Sequence, residues 1–264
     1  MKNMLKIVFF IFGYVASIGI MLLSMYGLED GTGAIREMIQ MTIVEGFGIV
    51  VMYLVYRYVY LRLFSEARDY GFHLPSKKMM LAAFLIFPFI CFIKTIFAGW
   101  NEYSGNIWFV DKDVSWRYIG ELILQIPIVV VVGPIFEEIC YRVFTLSSAR
   151  TKVGKIIAIF FTVLLFSVMH GASWKYVLPD AVLFSVIYVI TKNAAVPILF
   201  HIANNFSTII VPMIAGIYSL VFSNAKTGIM GIPLLVVIVM LGCFLWGMTG
   251  IIDVISAHFV SNTK

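Results

Sequence analysis

The chain has 264 residues, of which 61% are hydrophobic and only 12% charged, against about 25% charged in an ordinary soluble domain. With 23 Phe and 14 Met and a mean hydropathy of +0.99, it lacks the polar surface that a water-soluble body requires, which excludes a soluble globular enzyme. The net charge of +5 is explained by membrane orientation, as shown below, so nucleic acid is not an expected partner.

In chain order, the apolar runs are Lys6 to Leu28, Met38 to Phe64, Met79 to Gly99, Tyr118 to Leu146, Val153 to His170, Leu178 to Thr191, Val196 to Val221 and Pro233 to Ala257. A transmembrane helix needs ~20 apolar residues, so about eight spans are expected, Leu178 to Thr191 being the shortest. The first run resembles a signal peptide, but it is too long for one. No small-x-small cleavage site follows it before Glu29, so it is read as the first span. Only helices and closed barrels satisfy their backbone in lipid, and the runs lack the two-residue alternation of a barrel. The expected fold is therefore all-α, a polytopic membrane helix bundle. No repeat and no long linker divides it, so one integral membrane domain over residues 1–264 is expected, with its polar motifs within 118–221.

Charge orients the bundle. With the N-terminus inside, most Lys and Arg residues fall in cytoplasmic segments, among them Lys2, Lys6, Arg68, Lys77, Lys78, Arg150, Lys152, Lys155, Lys192 and Lys264. The loop acids Glu29, Asp30, Glu37, Glu102, Asp111 and Asp113 and the tryptophans Trp100, Trp108, Trp116 and Trp174 fall on the opposite side, as interfacial anchors do. Both termini are expected to be cytoplasmic, in a multi-pass protein of the cell membrane. Cys91, Cys140 and Cys243 lie inside apolar runs and read as buried thiols.

Function is sought where polarity sits inside a span, because a carboxylate at a helix centre costs ~2.5–3.5 kcal/mol. Three segments bear that cost. In Pro134-Ile135-Phe136-Glu137-Glu138-Ile139-Cys140-Tyr141-Arg142, Glu138 and Arg142 are four apart and can pair on one helix face. Glu137 points ~100° away and has no local partner. As a buried ion pair, Glu138 and Arg142 can serve packing alone, a reading less available to Glu137. The second segment, Phe166-Ser167-Val168-Met169-His170, ends a span on a histidine. The third, His201-Ile202-Ala203-Asn204-Asn205, places His201 and Asn205 on one face, where they can also act simply as hydrogen-bonding glue between helices. Counted at 1.5 Å per residue from the expected cytoplasmic ends, Glu137, His170, His201 and Asn205 lie ~10–22 Å deep, so all four can meet near mid-membrane. A carboxylate, two imidazoles and an amide in a low-dielectric site are the groups needed to activate water and stabilise an oxyanion.

The series Glu137-Glu138-x-x-x-Arg142, Phe166-x-x-x-His170 and His201-x-x-x-Asn205 resembles the three motifs of the CAAX-protease and bacteriocin-processing (CPBP) family of intramembrane peptidases, over about Leu122 to Phe206. The resemblance implies that Glu137 and His170 activate the attacking water, that His201 and Asn205 form the oxyanion hole, and that Glu138, Arg142 and Phe166 support them. Val143 stands where the family usually has glycine, and Gly171 is the one glycine between the second and third motifs. Both departures fall on helix packing rather than on a catalytic group.

The resemblance implies an endopeptidase acting on membrane-associated peptide or protein substrates, in CAAX-type cleavage, bacteriocin or peptide-signal processing, or self-immunity. The family has been described both as metalloproteases and as metal-free, glutamate-dependent peptidases. Glu137, His170 and His201 make a His2Glu set that would suit zinc, but the local His-Glu-x-x-His motif is absent. The residue types do not decide between the two; a metal-free site is the expectation, because Asn205 suits an oxyanion hole and gives His201 a task other than ligation. A non-enzymatic immunity or regulatory scaffold is the alternative, although a scaffold has no use for Glu137. A small transporter with a Glu/His proton relay fits less well, since no repeat relates two halves of the chain.

Overall fold

The computed structural model describes residues 8, 9, 11, 12, 15, 16, 18, 19, 34–64, 67, 70–100, 116–124, 126–147, 149, 151–171, 174–222 and 234–261. These residues are helical almost throughout, and no strand occurs among them. The α-helices are α1 (Ala34–Val55), α2 (Leu61–Leu63), α3 (Lys77–Trp100), α4 (Trp116–Leu124), α5 (Gly133–Glu138), α6 (Phe144–Leu146), α7 (Lys152–Met169), α8 (Trp174–Thr191), α9 (Ala195–Phe222) and α10 (Leu234–Ser261). Three π-helical stretches join some of them: π1 (Tyr56–Tyr60), π2 (Ile126–Val132) and π3 (Ile139–Val143). The chain forms two compact units, 1–74 with 127–201 and 75–126 with 202–264.

In the first unit, Met52, Tyr56, Tyr60 and Phe64 form a buried row spaced by four. Four residues turn an α-helix by about 400°, so such a row drifts ~40° per step. The wider turn of π1 takes up this drift and keeps the aromatics inward. Tyr60 donates to the Phe144 carbonyl at 2.9 Å, and Phe9 lies edge-on to Tyr60 and Phe64. Helix α7 starts on Thr151, whose hydroxyl accepts from Gly154 N at 2.9 Å, an N-cap of ordinary type. It buries Thr162, Val163, Phe166 and Ser167; Thr162 meets Thr145 and Phe166 meets Tyr141 and Arg142, and the helix also packs against α8. Ile156, Ile157, Phe160 and Leu164 stay exposed, as a lipid-facing surface requires. After α8, Lys192 turns with φ of 50°, and Gly71 bridges Asn193. The Asn193 side chain then accepts from Ala195 N at 3.1 Å, capping α9.

In the second unit, α3 and α10 pack closely. A Cβ at Gly247 would lie 2.7 Å from Ile86 Cγ1 and 3.0 Å from the Ala82 carbonyl, so this crossing needs glycine. Lys78 and Asp253 form an ion pair at its end.

The all-α expectation holds. Ile39–Leu63, Lys152–Met169, Trp174–Thr191 and Val236–Asp253 are each long and apolar enough to cross a membrane, and Ala195–Val211 is a shorter apolar helix. The shortest expected span, Leu178 to Thr191, therefore gains a turn at its start. The run expected as one helix over Tyr118 to Leu146 is instead a series of α and π segments, because Pro127 and Pro134 withhold backbone donors there. Cys91 and Cys140 are buried as expected, whereas Cys243 is only half-buried, being on the partly exposed α10. The loop holding Trp108, Asp111 and Asp113, and both chain ends, lie outside the described residues.

Candidate active site

The paired glutamates sit on α5, a six-residue α segment between π2 and π3, with Pro134 in its first turn. Such π segments recur at functional sites. Here they set two adjacent carboxylates in different surroundings. The Glu138 side chain is 0% exposed and that of Glu137 29%, so only Glu137 is open to a reactant.

Glu138 binds two cationic or donor groups through one oxygen. Arg142 Nη1 donates to Glu138 Oε1 at 2.9 Å, and His201 Nδ1 donates to the same oxygen at 2.9 Å. The Arg142 guanidinium lies 4.1 Å above the Phe166 ring, which compensates part of its burial. His201 stacks on Phe184, with centroids 5.0 Å apart, and meets Phe166 edge-on at 5.8 Å. Because a carboxylate only accepts, Nδ1 of His201 carries hydrogen. Its Nε2 then faces Glu137 Oε2 at 3.6 Å.

His170 ends α7. Its Nδ1 donates to the Phe166 carbonyl at 2.7 Å, and its ring lies 4.6 Å from that of Phe166. In the neutral ring this leaves Nε2 as an acceptor. Phe166 thus stands between the two histidines. The imidazole that faces Glu137 is His201, while His170 is anchored to its own helix. Asn205 lies one turn beyond His201 on α9. The boundary between the two units passes between them. Asn204 Nδ2 donates to Asn205 Oδ1 at 3.3 Å.

The candidate zinc ligands are Glu137, His170 and His201. Among the described residues, no three His, Cys, Asp or Glu side chains gather as a metal cage. His201 Nδ1 is already engaged by Glu138 at 2.9 Å, and its Nε2 lies 3.6 Å from Glu137 Oε2.

Sequence reasoning missed Glu45. Its Oε2 lies 3.7 Å from the Cβ position of Gly133, one turn before Glu137. The signal was present, as a lone carboxylate in the second apolar run.

Helices of this length and apolarity imply a lipid bilayer around the chain. Residues 119–207 match the family model described as Rce1-like, type II CAAX prenyl endopeptidase Rce1-like. The matched stretch contains all three motifs, and the family that the model describes is one of endopeptidases. No curated protein and no solved structure matches the chain.

Proposed function

We propose that the chain is an intramembrane endopeptidase that cleaves a prenylated, CAAX-type peptide at the membrane, with Glu137 as general base. The carrying observation is the unequal environment of the adjacent glutamates. Glu138 is fully buried and paired with Arg142 and His201, whereas Glu137 is partly open and faces His201 Nε2. In the proposed reaction Glu137 takes one proton from a water as the water oxygen adds to the peptide carbonyl carbon. The carbonyl π pair moves onto oxygen, where Asn205 and the Nε2–H of a doubly protonated His201 donate to it. The C–N bond then breaks, and the proton held by Glu137 passes to the leaving nitrogen. His170, tied by Nδ1 to Phe166, presents Nε2 as an acceptor that takes the proton from Glu137 on its way to the leaving nitrogen. No metal takes part in this proposal, and both termini lie in the cytoplasm.

The test is cleavage of a fluorogenic peptide, bearing a farnesylated cysteine and three further residues, by purified chain in liposomes. Cleavage abolished by Glu137→Gln and unaffected by a chelator is expected. Cleavage lost to the chelator and restored by zinc overturns the metal-free reading. A cellular phenotype that survives triple substitution of Glu137, His170 and His201 overturns the enzyme reading in favour of a scaffold. Reporter activity outside the cell from a fusion at Lys264 overturns the orientation.

A further inference from the structure

Glu45 is the one carboxylate of α1 described within a candidate span, Ile39–Leu63. It has no place in the three motifs. Placing a carboxylate there costs ~2.5–3.5 kcal/mol unless something offsets it. Helix α1 packs along α5 and π3, and the half-buried Glu45 is turned toward α5. Its Oε2 sits 3.7 Å from the point where Gly133 would carry a Cβ. A side chain at position 133 would also press on the Ile128 carbonyl, 3.1 Å from that Cβ position. The glycine thus leaves room for the carboxylate to come down onto the helix.

Gly133 and Glu137 are four apart on α5, so they share a face with ~5–6 Å between Cβ positions. Glu45 Oε2 over Gly133 therefore lies against the face of α5 that carries Glu137 one turn further on. On the neighbouring residue, Glu138 Oε2 is buried with no hydrogen-bond partner among the described residues, a group of the kind that buried water satisfies.

Resting on the peptidase reading above, we infer that Glu45 is a second water-holding carboxylate of the active site, accepting one hydrogen of the attacking water while Glu137 accepts the other. A water held by both hydrogens has its lone pairs directed away from both acids, toward the carbonyl carbon. Only the hydrogen on Glu137 is transferred. Glu45 keeps its hydrogen bond through the attack and takes no proton, so the balance of the reaction is unchanged. Glu45 acts on the orientation of the nucleophile, which appears in kcat rather than in substrate affinity.

The test uses the full chain in liposomes and the farnesylated fluorogenic peptide. Glu45→Leu removes the acceptor and also a charge from a span, so insertion should not suffer. It should lower kcat about 100-fold with KM within about twofold, the scale expected when a reactant is misplaced by ~1 Å. Glu45→Gln, which keeps one acceptor oxygen, should recover part of that loss. Parental kcat in Glu45→Leu beside an inactive Glu137→Gln overturns this inference and leaves the peptidase reading standing. Full activity in Glu137→Gln overturns the peptidase reading itself. An effect of Glu45→Leu confined to KM, or loss of folded protein in both Glu45 variants, also overturns the inference. An experimental density map of the parent in lipid should show one water bridging the two carboxylates. Carboxylates facing apart there would overturn it without any turnover assay.

Discussion

His201 and Glu138 meet at 2.9 Å, Nδ1 to Oε1, although 63 residues separate them in the chain. The oxygen is the one that Arg142 also reaches. Glu138 is thereby a structural anchor for the histidine that faces Glu137, and the adjacent acids divide support from chemistry.

Removing Glu138 leaves Arg142 buried without its counter-charge and frees His201 to rotate. Glu138→Ala should therefore lower stability by ~3–5 kcal/mol, as breaking one side of a buried pair does. Thermal unfolding in detergent measures this. Replacing both partners with apolar residues, as in Glu138→Leu with Arg142→Met, should recover much of the stability without recovering activity. A double variant as unstable as Glu138→Ala would show that the pair does more than neutralise itself.

Glu137 is partly exposed, and on its loss His201 keeps its bond to Glu138. Glu137→Gln should melt within a degree or two of the parent while turnover falls ~10²–10⁴-fold, the range for a general base. His170→Ala should lose activity comparably. The double variant should be scarcely slower than either single, because groups that act as a unit are not additive. Multiplicative losses would separate their roles.

Much of this was legible in the sequence. The long apolar runs announced helices in lipid. Glu138 and Arg142 announced their pairing, because an i, i+4 contact is local. What the sequence withheld was distance between segments. Nothing in the third motif told which glutamate His201 would grip, and the contact now runs to Glu138 at one nitrogen and toward Glu137 at the other. The π turns were also hidden. A uniformly apolar run carries little periodicity from which to read a change of pitch, and Pro127 and Pro134 were the available hints. Glu45 was overlooked because an isolated acid has no spacing to make it a motif.

The close crossing of α3 and α10 offers a test of the second unit. In Gly247→Ala the new methyl would come 2.7 Å from Ile86 and 3.0 Å from a backbone carbonyl. The helices must shift, at a cost of ~1–3 kcal/mol typical of overpacking. Gly242→Ala, with nothing within 4 Å of its Cβ position, should be neutral or slightly stabilising, since Ala favours a helix by ~1 kcal/mol. Equal melting temperatures for the two variants would contradict the packing described.

Asn205 bears the oxyanion part of the proposal. It follows His201 by one turn on α9, and its Oδ1 is engaged by Asn204 Nδ2 at 3.3 Å. That contact orients the amide so that its nitrogen, the end that can donate, points away from Asn204. A donor to the oxyanion acts only once the carbonyl oxygen has gained charge, so its removal should spare substrate binding. Asn205→Ala should reduce kcat ~10²–10³-fold with KM nearly constant. Asn204→Ala removes only the orienting bond, whose net value of ~0.5–1.5 kcal/mol corresponds to a loss of roughly 2- to 10-fold. Asn205→Asp places an acceptor where a donor is needed and should be as slow as Asn205→Ala or slower. Steady-state kinetics on the farnesylated peptide distinguish these outcomes. A rise in KM at constant kcat for Asn205→Ala would move the residue from transition-state stabilisation to substrate binding.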